Sequence, residues 1–166
     1  MAYTLDRFAA ECHALLNAAP GPVGRERVRV LLAAALNDPP FVAACLPDGA
    51  PERTVLYEDP ELGFCIVGHV YRGPKDSSPH DHGPTWAIYG QARGETRMTD
   101  WDVVEPADAK RPGKVRPGRS YTLRPGMAHL YNEGDVHAPS RAGPTRLIRI
   151  EGVNTDRIQR FPYEPI

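Results

Sequence analysis

The chain has 166 residues, 41% hydrophobic and 25% charged, with a formal charge of −1. That is enough for one domain with one core, and it gives no net electrostatic pull toward nucleic acid or a membrane surface. No stretch approaches the roughly 18 consecutive apolar residues of a membrane span. The opening stretch, interrupted by Asp6 and Glu11, is not read as a secretory signal.

In chain order, Leu5, Phe8, Ala9, Cys12, Leu15 and Leu16 recur at helical steps and predict a helix over 5–16, with Thr4 as its N-cap. Prolines and glycines in 18–24 break that pattern. Val28, Leu31, Leu32, Ala35 and Leu36 then form the stripe of a second helix, ended by Asn37-Asp38-Pro39-Pro40. A short third turn over 41–46 stops at Pro47. From Arg53 the period changes, and 54–58, 64–71, 85–89, 95–101, 120–123 and 145–151 read as short strands divided by Gly and Pro.

The 18 prolines, about twice the usual share of roughly 5%, lie mostly outside the helix-like segments. The expectation is a mainly β sandwich or barrel behind two to three N-terminal helices. It is read as a single domain over 1–166, with a helical segment at 1–50 and the barrel at 51–166. Residues 110–119 are basic (Lys110, Arg111, Lys114, Arg116, Arg119) but interleaved with Pro and Gly. Without an aromatic platform they read as a solvated loop and not a nucleic-acid site. Cys12, Cys45 and Cys65 are odd in number and lack C-x-x-C spacing. They are expected to be buried thiols in a reducing, cytoplasmic setting.

The chemistry concentrates in histidines. His80 and His82 form an H-x-H, and residues two apart on a strand point to one face. His129 follows the turn Pro125-Gly126-Met127-Ala128 and His137 lies just beyond. A third imidazole from a distant strand completes a facial ligand set, so His80, His82 and His129 are the expected metal ligands. Asp81, between the first two, points to the opposite face and is not one. His69 is expected as a satisfied core histidine, and Trp86 and Trp101 as core or pocket wall.

The segments Gly73…His80-Asp81-His82…Gly94 and Gly118…Pro125-Gly126-Met127-Ala128-His129…Asn132 resemble the two cupin motifs. Ser77 through Trp101 is most similar to the cysteine dioxygenase-like group of thiol dioxygenases, and the similarity runs from about Arg53 to Ile150. The resemblance implies a cupin double-stranded β-helix, or jelly-roll barrel. It also implies an iron(II) centre that uses O2 on a small thiol such as cysteine or 3-mercaptopropionate. The residues agree at one point: Thr85-Trp86-Ala87-Ile88 supplies no carboxylate where many cupins place a glutamate ligand, so three neutral imidazoles face the metal.

The resemblance makes Arg53 the clamp for a substrate carboxylate, with Arg72 a weaker candidate. Two departures stand out. Ala87 replaces the cysteine that cross-links to a tyrosine in some members. The family's Ser-His-Tyr set is missing, because Leu147-Ile148-Arg149-Ile150-Glu151 supplies Arg and Glu instead. Tyr121, Tyr131 and His137 are the candidates to take over its role, and Glu151 is a candidate pocket acid.

Three imidazoles also accept nickel, zinc, copper or manganese. A cupin acting on a non-thiol small molecule, and a metal- or ligand-binding cupin without turnover, remain as alternatives. The expected partners are a small-molecule substrate and O2, in a monomer or homodimer that engages neither nucleic acid nor membrane.

Overall fold

The computed structural model describes residues 3–166. Helix α1 (Leu5–Ala18) starts as its sequence requires, with the Thr4 hydroxyl accepting the Arg7 N–H at 3.2 Å. Helix α2 (Pro22–Ala35) begins on a proline, whose missing N–H would be unpaired in a first turn anyway. The same logic makes Pro39-Pro40 the opening of α3 (Pro39–Cys45) as well as the stop for α2. Asp38 caps α3 by accepting the Phe41 N–H. Among the described residues no single helix is long and apolar enough to cross a membrane.

Ten strands follow: β1 (Arg53–Glu58), β2 (Cys65–Tyr71), β3 (Lys75–Asp76), β4 (Ala87–Arg93), β5 (Thr96–Glu105), β6 (Gly113–Leu123), β7 (Ala128–Tyr131), β8 (His137–Arg141), β9 (Thr145–Glu151) and β10 (Tyr163–Pro165). They form two five-stranded sheets, β1-β2-β9-β4-β7 and β10-β6-β5-β8-β3. All pairings are antiparallel except β10 on β6. This crossing strand order is that of a jelly-roll, cupin-like barrel.

The first sheet is buried on both faces, which is why β2 reads as a continuous apolar run and not an alternation. Its outer face, with Ile66, Val70, Ile88, Ile148 and Ile150, packs against Phe8, Val28, Leu32 and Phe41 of the helices. Its inner face sends Tyr71, Ala87, Tyr89, Tyr131 and Leu147 into the barrel to meet Met98 and Leu123 of the second sheet. The helices thus complete the sheet's outer core and leave the inner face for the site.

The basic segment is only partly the loop expected of it. From Gly113 it runs as β6, pairing with β5 through Val115 opposite Val103, while Lys110, Arg111, Arg116 and Arg119 remain exposed. Cys12, Cys45 and Cys65 are buried free thiols. Burial raises the latter two to a pKa of about 11.

Candidate metal centre

Backbone pairing builds the site. His80 and His137 form an isolated antiparallel bridge, exchanging N–H···O bonds of 3.0 and 2.9 Å. Residues so paired present their side chains to one face, side by side, and the two rings lie 4.7 Å apart. His82 enters two residues later, its ring 5.0 Å from that of His137. Gly83, with φ of +60°, then turns the chain, and its N–H is held by Asp81 Oδ1.

One ligand atom from each of His80, His82 and His137 lies within 4.8 Å of the others. The Nε2 atoms of His82 and His137 are 3.2 Å apart, a separation that two metal–nitrogen bonds of about 2.0–2.1 Å span. The other nitrogens fix the tautomers. His80 Nδ1 donates to the Ser78 carbonyl at 2.8 Å and His137 Nδ1 to the Asp135 carbonyl at 2.9 Å. Both Nε2 atoms therefore keep lone pairs for the centre, the usual outer-shell arrangement of ligating imidazoles. Burial lowers the pKa of all three, His82 and His137 far below the ordinary value, so they stay neutral and ready to ligate. The residues present fit a divalent metal.

His129 is not in this set, which corrects the expected third ligand. It sits on β7 against Tyr121 and Tyr131, with ring separations of 4.9 and 4.6 Å. The Tyr131 ring in turn stacks on His137 at 3.8 Å. His129 instead lines a polar cavity of about 340 Å³ with Asp100, Asp102 and Asp135. Tyr131 supports His137 by stacking, and its hydroxyl turns to other work. The Tyr121 hydroxyl donates to Asp100 at 3.0 Å, so Tyr131 donates to Tyr121 at 2.5 Å.

No family model matches the chain, and no curated protein matches it. Solved structures overlap it in part. KdgF from Halomonas sp. is 16% identical with a TM-score of 0.48, covering 67% of this chain and 90% of its own. A hydroquinone 1,2-dioxygenase, PnpCD, determined with Cd2+ and 4-hydroxybenzonitrile, is 14% identical with a TM-score of 0.48, covering 72% and 71%. A cupin superfamily protein from Desulfitobacterium hafniense is 14% identical with a TM-score of 0.44, covering 63% and 83%.

The hydroxyl at the cluster comes from Tyr89, a residue that sequence reasoning treated only as the end of a strand. Its oxygen is 3.3 Å from the Nε2 atoms of both His82 and His137 and accepts from Arg149 Nη1 at 3.3 Å. Arg149 lies opposite Tyr89 across β4 and β9. Glu151, fully buried, holds the Arg149 guanidinium, with its Oε1 accepting from Nε at 2.7 Å. Burial raises the Glu151 pKa, but Arg149, the Thr155 N–H and Arg53 outweigh it, so Glu151 remains ionised.

Arg53 is therefore not the open clamp expected of it. Its Nη2 donates to Glu151 at 3.0 Å and to Asn154 at 3.1 Å, and its Nη1 to Asp156 at 2.6 Å. A charge network Arg53–Glu151–Arg149–Tyr89 thus runs from the rim of the barrel to the imidazoles. Arg72 donates to the Ala50 carbonyl on the exterior. Asp81 turns away from the centre, receiving Tyr163 at 3.0 Å.

Proposed function

We propose that this protein is a mononuclear non-haem iron(II) oxygenase that converts a small thiol to its sulfinic acid. His80, His82 and His137 would hold the metal. The observation that carries this reading is the donor set: three neutral imidazoles with no carboxylate among them. Such a set leaves the charge of a divalent ion uncompensated and favours an anionic ligand such as a thiolate. A metal held there would supply open positions for thiolate and O2 and would tune both electronically. The balance is R–SH + O2 → R–SO2H, with both oxygen atoms ending on sulfur and the former thiol proton on the sulfinic acid.

The chain's own groups orient the reactants. Tyr89 presents its O–H at the histidines, while Arg149 fixes the phenol oxygen from behind. Burial raises the pKa of Tyr89, so it stays protonated and can donate a hydrogen bond into the space beside the histidines. A second reading, a cupin acting on a non-thiol small molecule, is favoured by Arg53 being occupied by Glu151 and Asp156.

Oxygen uptake by iron(II)-loaded protein with cysteine, 3-mercaptopropionate, cysteamine and no thiol separates the two. Uptake with one thiol, matched by sulfinate and abolished in His82→Ala, is the expected result. Absence of uptake from protein confirmed to hold iron sinks thiol oxidation for those substrates.

A further inference from the structure

One buried cation has no role in the site described above. Arg141, on the interior face of β8 like His137, is 3% exposed, and its guanidinium lies 4.3 Å over the Tyr71 ring. Arg149 is ion-paired with Glu151, and Arg53 with Glu151 and Asp156, but among the described residues no carboxylate pairs with Arg141, and its Nε is buried without a hydrogen-bond partner. Glu52, whose charge is felt at Arg141, is exposed and ion-paired with Lys75.

Two further polar atoms are orphaned around the same tyrosine. His69, 4% exposed, stacks on Tyr71 with its Nδ1 3.2 Å from the Tyr71 hydroxyl, and its Nε2 has no partner. A Tyr71 hydroxyl donating to Nδ1 places the imidazole proton on Nε2, pointing a donor into the barrel. Thr145, directly opposite Tyr71 across β2 and β9, has a buried Oγ1 without a partner. Buried polar groups are almost always satisfied, so three orphans around one ring mark the place of a polar ligand. Water would serve the hydroxyl and the imidazole, but it would not neutralise a guanidinium that is always charged.

We propose that Arg141, with His69 and Thr145 beside it, forms a buried subsite for the carboxylate of a small organic acid. The planar fork of a guanidinium matches a carboxylate. A cavity of about 420 Å³ outside the barrel is lined by Tyr71 and Thr145 together with Arg72, Arg93 and Arg146, so the approach on that side is cationic. The subsite's role as a substrate anchor rests on the proposed function, whereas its capacity to bind an acid does not.

The test uses metal-free protein, titrated calorimetrically and followed by thermal unfolding, with propionate, 3-mercaptopropionate, cysteamine and chloride at matched ionic strength. The two acids are expected to bind and to raise Tm, unlike cysteamine and chloride, and Arg141→Met is expected to weaken acid binding about ten-fold or more. Equal acid affinity in wild type and Arg141→Met overturns the subsite. Should Arg141→Met not fold, wild-type protein decides: propionate that raises Tm no more than chloride overturns it too. Acid binding without thiol turnover removes the proposed reaction and leaves the subsite. Turnover of 3-mercaptopropionate with KM unchanged in Arg141→Met does the reverse.

Discussion

A neutral imidazole whose second nitrogen is already spoken for has one lone pair to give, and the bridge between His80 and His137 points two such lone pairs at the Nε2 of His82. Metal content by elemental analysis should therefore fall to background in His137→Ala, whereas His129→Ala should keep it. The reverse pattern sinks this ligand assignment. Around the ligands, Glu151→Ala strips the counter-ion from Arg149 and half of that from Arg53. Breaking a buried pair in this way costs about 3–5 kcal/mol, measurable as a lower urea midpoint. Glu151→Ala protein with an unchanged midpoint would mean the network carries no stability. The H-x-H was legible in the sequence because its two-residue period is the strand's own. His137 was not, since Pro139 disguises β8 as a loop and the turn before His129 carries the stronger motif. Arg149 and Glu151 were visible only as replacements for an expected set; the placement of Arg149 opposite Tyr89 and of Glu151 beside Arg53 depends on a register that spacing does not encode.

Helix α2 meets the first sheet at Gly90, and the fit leaves no room. A Cβ there would stand 2.6 Å from Leu32 Cδ2 and 3.1 Å from the Ile148 carbonyl oxygen. Gly90→Ala should cost about 1–3 kcal/mol by overpacking. In the Leu32→Ala background, where that side chain is gone, it should cost less than half as much. Equal costs in the two backgrounds, from a double-mutant cycle in urea, would show that Leu32 is not what confines the site. The helices themselves were legible down to the Thr4 cap, because capping and a 3.6-residue stripe are local properties. The short strands β3, β7, β8 and β10 were not, since two to five residues carry too little periodicity and owe their existence to partners far along the chain. The basic run failed differently: β6 is a strand through most of it because β5 pairs with it, although its side chains stay solvated.

Across the whole molecule, burial sets two acid thresholds. His69 has a folded pKa held well below its ordinary value by burial first and then by the cations Arg149, Arg53, Arg141 and Lys75. Below about pH 6.5 the unfolded chain therefore takes up a proton that the folded chain refuses, and stability falls as pH drops. In metal-free protein the three cluster imidazoles, also lowered by burial, add to this slope. The second threshold belongs to Asp59. Burial pushes its pKa up, but the N–H groups of Leu62 and Glu61, together with His13 and Tyr57, pull it below the ordinary value. Its contribution is present above the unfolded carboxylate value of about 3.9 and is lost as pH falls through the lower folded value. Urea unfolding of metal-free protein should show free energy declining from near pH 7, by up to about 1.4 kcal/mol per pH unit for each proton taken up, with the loss of the Asp59 contribution adding to the decline below about pH 4. His69→Gln should flatten the first decline in part, and Asp59→Asn should remove much of the added loss. A free energy that is level between about pH 7 and pH 5 in metal-free protein would mean the barrel admits protons to its histidines without unfolding, and that its interior is wetter than its packing shows.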